Sequence, residues 1–101
     1  MVVNLKNFGT ILSTRDLGKV IRDTILQGVK SGDVITVDFN DVSQVTHSCA
    51  DEIFAKLVIE LGLSQFKKSV KMINADDTTA TIIKYVIARR LENEQLTSNT
   101  K

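Results

Sequence analysis

The run Val34-Ile35-Thr36-Val37-Asp38-Phe39 constrains this chain more than any other, because it is the most strand-like stretch and stands between two stretches that repeat at helical spacing. Its β-branched and aromatic residues suit a pleated sheet. Apolar side chains fall on both of its faces, so it reads as a central strand that can be covered from two sides. Before it, Leu17, Val20, Ile21, Thr24, Ile25 and Gly28 recur as one stripe, with Arg15, Asp16, Lys19, Arg22 and Asp23 opposite. That is the pattern of an amphipathic helix. Ser13 and Asp16 stand at capping-box spacing and mark its start, and Ser31-Gly32 marks its stop. After the run, Ala50, Ile53, Phe54, Leu57, Val58 and Leu61 form the clearest helical stripe in the chain, which Gly62 ends. Phe54 and Leu57 on that stripe are expected to bury against Val37 and Phe39.

The flanks complete an alternating order. Val2-Val3-Asn4-Leu5-Lys6 reads as a short edge strand, and Phe8 to Leu12 can add a further one. A linker at Lys67-Lys68 leads to a third strand, Val70 to Asn74. Asp76 or Asp77 then caps a last helix with Ala80, Ile83, Ile87 and Leu91 on its apolar side. Glu92 to Lys101 has no apolar period, so residues 1–92 are expected to be the domain and 93–101 a mobile polar tail. Strands joined through helices are parallel with right-handed crossovers. The fold class is therefore α/β: a single small domain with a mostly parallel open sheet of three to four strands and three helices. A length of 101 residues with 43% hydrophobic and 25% charged side chains fits one domain with a real core.

Several functions are excluded by charge and motif. Thirteen Lys and Arg against twelve Asp and Glu leave a net charge of +1, with no single-sign block to make a nucleic-acid footprint. No apolar stretch approaches the roughly 18 residues needed to span a bilayer. One cysteine cannot form an internal disulfide, and a cytoplasmic setting is expected. Neither G-x-x-x-x-G-K-[ST] nor G-x-G-x-x-G occurs. A response-regulator phosphoacceptor would need an acidic pair at the end of the first strand, where Asn4 and Asn7 stand.

In open α/β sheets, sites lie beyond the carboxyl ends of the strands, which directs attention to Asp38 through Glu52. Asp38, Asp41, Asp51 and Glu52 with His47 could hold a divalent cation, but Asp51 and Glu52 in a first helical turn are better explained by the helix dipole. His47 and Cys49 could form a nucleophilic pair. No third orienting group is evident, however, and a lone cysteine is commonly a small buried hydrophobe. No catalytic residue, metal or cofactor is therefore assigned. Ser48 can be the N-cap of the helix or a phosphoacceptor at its start. Arg15, Arg22, Arg89 and Arg90 read as the solvated sides of helices.

Taken together, Val37-Asp38-Phe39-x-x-Val42, Ser48-x-Ala50-Asp51-Glu52-x-Phe54, Phe8-Gly9, Ser13-x-Arg15 and Arg89 resemble the STAS-like domain family, bacterial relatives of the sulphate-transporter and anti-sigma-factor-antagonist domains. The resemblance covers roughly residues 5 to 90. It implies a non-enzymatic regulatory module that binds a protein partner such as a GHKL-type kinase or ATPase, with no nucleic acid or membrane involved. It also implies a phosphorylated serine at Thr46, His47 or Ser48, of which Ser48 is the best hydroxyl. The chain differs from the phospho-switch pattern in having His47 where a hydroxyl often stands and Cys49-Ala50 in place of serine-glycine. The expected interaction surface comprises Ser43, Thr46, His47, Ser48, Asp51 and Glu52. The alternative is a small-ligand sensor that takes a phosphate or nucleotide at the helix start near Ser48.

Overall fold

A computed structural model describes residues 1–99, with side chains described for residues 1–94. Three parallel strands make the main sheet: β1 (Val2–Asn4), β3 (Ile35–Asp38) and β5 (Val70–Ile73), in the order β1-β3-β5. β3 is thus central and β1 an edge, as the sequence indicates. Val3 aligns with Val37, and Val37 with Met72. Phe8 to Leu12 does contain a strand, β2 (Ile11–Leu12), but it joins β4 (Gln44–Val45) in a separate parallel pair instead of extending the main sheet.

Only one face of the main sheet is covered, which corrects the expectation of cover from two sides. Ile35 and Val37 are fully buried, whereas Thr36 and Asp38 turn to the other face, in line with exposed Lys71 and Ile73. The reason is alternation: Ile35, Val37 and Phe39 are buried on one face with period two, and Val34, the apolar residue of the run with the opposite parity, precedes β3 and is exposed.

The covered face packs on α1 (Arg15–Lys30) and on a helical rod over residues 47–61 made of α2 (His47–Ala50), a π-turn (Asp51–Ala55) and α3 (Lys56–Leu61). Ile21 and Ile25 of α1 and Ile53, Phe54 and Leu57 of the rod are fully buried. The rings of Phe39 and Phe54 stack at 5.9 Å. Thr14, rather than Ser13, caps α1, accepting from the Leu17 N–H at 3.1 Å.

Where a linker at Lys67-Lys68 is expected, the chain forms α4 (Leu63–Ser69), which buries Phe66 and keeps both lysines in its last turn, where cations suit the dipole. α5 (Asp77–Asn99) is capped by Asp76, whose carboxylate accepts from the Thr79 N–H at 2.7 Å. The expected tail at 93–101 is helical as far as Asn99, and residues 100–101 lie outside the described residues. No glycine or proline follows Gly62 to stop the helix, and Leu91, Glu92 and Glu94 are good helix formers.

Candidate functional site

The small β2–β4 pair sets the site by delivering two helices side by side. Leu12 and Val45 are buried register partners in that pair; Val45 leads directly into the cap Thr46, and Leu12 leads through Ser13 into the cap Thr14. Thr46 has an extended backbone, and its hydroxyl accepts from the Cys49 N–H and donates to the Ser13 carbonyl, both at 3.3 Å. Thr46 is therefore the N-cap expected at Ser48, because β4 brings the chain into helical geometry two residues earlier. At Gly18 the helices nearly touch: a Cβ there would lie 2.9 Å from Glu52 Cβ and 3.1 Å from the Cys49 carbonyl oxygen. This approach puts Arg15 against the start of the rod.

An ionic junction occupies the seam between α1, the π-turn and α5. Arg15 reaches both Asp51 at 2.9 Å and Glu52 at 3.2 Å. Arg22 donates to the Glu52 carboxylate and to its carbonyl oxygen, each at 2.7 Å. Lys56 approaches the same carboxylate at 3.1 Å from one turn along, and Arg90 of α5 binds Asp51. The π-turn widens the helix at these two acids; such turns within α-helices recur at functional positions. Glu52 is 6% exposed. Burial pushes its carboxyl up, yet hydrogen bonds from Arg22, Lys56 and Arg15 outweigh that and hold it at about 2. Burial acts on Asp51 in the same way and is likewise overcome, by Arg90 and Arg15, so its carboxyl lies below the usual range.

One helical turn away the character changes. His47 and Ser48 are exposed, and the His47 ring stands edge-on to Tyr85 of α5 at 5.6 Å. A cleft of about 370 Å³ opens beside them, lined by Arg15, Asp51, Arg89 and Arg90 as well as by His47, Ser48 and Tyr85. Arg89 donates to the Tyr85 hydroxyl at 3.2 Å.

The six residues expected to form one surface therefore divide. Ser43, His47 and Ser48 are exposed, and the Ser43 hydroxyl donates to the Thr10 carbonyl at 3.0 Å. Thr46 is a half-buried cap. Asp51 and Glu52 belong to the junction, and Glu52 is interior, because four cationic side chains compensate the two acids and permit their burial. Arg15, Arg22 and Arg90, read from sequence as solvated, are these partners; the visible signal was the Glu52/Lys56 pair at helical spacing. Arg89 was singled out, but its neighbour Arg90 makes the ion pair. Tyr85 was missed.

Cys49 is fully buried, and burial, with Glu52 nearby, pushes its thiol up, opposite to what a nucleophile needs. Asp38 accepts from the Asn40 N–H and the Asn74 side chain, both at 2.9 Å, and so clamps the ends of β3 and β5. Among the described residues, no group of three or more His, Cys, Asp or Glu is placed to hold a metal ion, and no helix is long and apolar enough to cross a membrane.

These features define a small STAS-like α/β domain with an open parallel sheet. A family described as a STAS-like domain of unknown function matches residues 18–80, and the chain belongs to that family. Membership suggests a regulatory or interaction module. The match spans Gly18 in α1 to Ala80 in α5, so Arg15, Tyr85, Arg89 and Arg90 of the cleft lie beyond it. No curated protein and no solved structure matched the chain.

Proposed function

We propose that this chain is a non-enzymatic regulatory module that docks a protein partner on the exposed rim around Ser43, His47 and Ser48. The observation that carries the reading is the release of Ser48 from structural duty. Thr46 caps the helix, so the exposed Ser48 hydroxyl is left for another role, on the lip of a cleft containing Arg15, Arg89 and Arg90. Phosphorylation there would place a dianion among guanidinium groups and change the sign of the rim, which is how a phosphate switches a docking surface.

A GHKL-type kinase or ATPase is the partner class that fits such a switch. The experiment combines the purified chain with a GHKL-type ATPase from the same cells, with and without ATP, followed by gel filtration and mass spectrometry. A complex that dissolves as phosphate appears on Ser48 is expected. Phosphate on any other residue, or a complex indifferent to phosphate on Ser48, would overturn the reading.

A further inference from the structure

The cleft between the start of α2 and the middle of α5 carries an inference of its own, independent of whether the rim docks a protein. Three guanidinium groups line it, against one carboxylate. Arg15 and Arg90 are both bonded to that carboxylate, Asp51, and Arg15 also reaches Glu52 behind it, which Arg22 and Lys56 already compensate. Arg89 differs from them. Its hydrogen bond goes to the uncharged Tyr85 hydroxyl, and among the described residues no carboxylate lies within ion-pair distance of it.

The cleft thus holds two positive charges more than its own acid can balance. A guanidinium fork matches the oxygens of a phosphate in two parallel hydrogen bonds. A phosphate monoester, close to a dianion near neutral pH, supplies the missing charge where a single carboxylate would supply half of it. The exposed Tyr85 ring, set edge-on to His47, gives the cleft an apolar wall beside the charges, and the Ser48 hydroxyl and the His47 ring offer polar contacts on the rim. A volume of about 370 Å³ lies at the lower end of the range for small-molecule sites.

We infer that this cleft binds a small organic phosphate, with the phosphate on Arg89 in the field of Arg15 and Arg90 and a compact planar body against Tyr85. The test is an NMR titration of the full chain with inorganic phosphate and with phenyl phosphate at constant ionic strength. Both probes should shift the amides around His47 to Asp51 and Tyr85 to Arg90 saturably. Phenyl phosphate should bind about fivefold or more tightly than inorganic phosphate, through the added contact with the ring.

Arg89→Gln keeps the exposed position and its length but removes the charge, and should weaken both probes about tenfold or more. Tyr85→Ala should abolish only the preference for phenyl phosphate. Spectra of the unliganded variants check that each is folded. Absence of saturable shifts with either probe, or equal affinity in wild type and Arg89→Gln, would overturn the inference. Partner binding measured in phosphate-free buffer is read separately, so the failure of either account is visible without the other.

Discussion

Glu52 and Ser48 stand about one turn apart on the same helical rod, yet the molecule treats them in opposite ways. Glu52 is interior, held by Arg15, Arg22 and Lys56, and its charge joins α1 to the rod. Ser48 is exposed, displaced from the cap by Thr46, and lies beside an arginine that no carboxylate holds among the described residues. A cationic cluster therefore stands in two settings in this fold: where its charges are matched it is part of the interior, and where they exceed their partners it lines an exposed cleft. The position of a charged residue in sequence does not say which setting it has; the partners brought to it by distant elements do.

The comparison can be broken first on its interior side. Phe54→Ala removes the ring stacked on Phe39 and should cost about 3 to 5 kcal/mol in denaturant melts; a loss below about 1 kcal/mol would place Phe54 outside the core. Glu52→Gln should cost about 3 kcal/mol, because Arg22 and Lys56 lose the charge that lets them lie against the seam. A loss near zero would mean that the junction is solvated like the rim.

Acid should reveal the same junction without mutation. The Glu52 carboxyl lies near 4.5 when unperturbed and at about 2 in the fold, so its contribution to stability is complete above about pH 4.5 and is lost as the pH falls toward 2. Urea midpoints measured across that window should fall in wild type and fall less in Glu52→Gln. Parallel curves for the two proteins would contradict the assignment.

Much of this architecture is legible in the sequence. The rod over residues 47–61 announces itself by period, since Ile53, Phe54, Leu57 and Val58 cannot all be solvated, and the central β3 by its concentration of β-branched and aromatic residues. The open face of the sheet was hidden because Val34 makes the run look apolar on both faces, whereas it precedes β3 and is exposed. The junction was hidden for a different reason: Arg22 and Glu52 are 30 residues apart, and only the close passage of the helices at Gly18 brings them together. Between Arg89 and Arg90, adjacent on one helix, the choice of ion-pair partner depends on the phase with which α5 docks, and no local pattern sets that phase. The cap was misplaced by two residues because Thr46 and Ser48 are chemically equivalent as caps, and the two-residue β4 that decides between them is too short to read.

The two hydroxyls now sharpen the comparison at its smallest scale. Thr46→Ala should cost about 1 kcal/mol through the lost cap. Ser48→Ala should change stability by less than about 0.5 kcal/mol, as expected for an exposed side chain that holds nothing. Equal losses in the two variants would return a capping role to Ser48.

The most direct test of the exposed rim as the working surface is the affinity of Ser48→Asp for a purified GHKL-type ATPase that binds the wild-type chain, read together with its urea midpoint. A carboxylate in the first turn of the helix, close to Arg15 and Arg89, should keep stability within about 0.5 kcal/mol of wild type. Binding should nonetheless be lost, because docking would desolvate a charge for which the partner has no match. A stable Ser48→Asp variant that binds the ATPase as tightly as wild type would contradict the account.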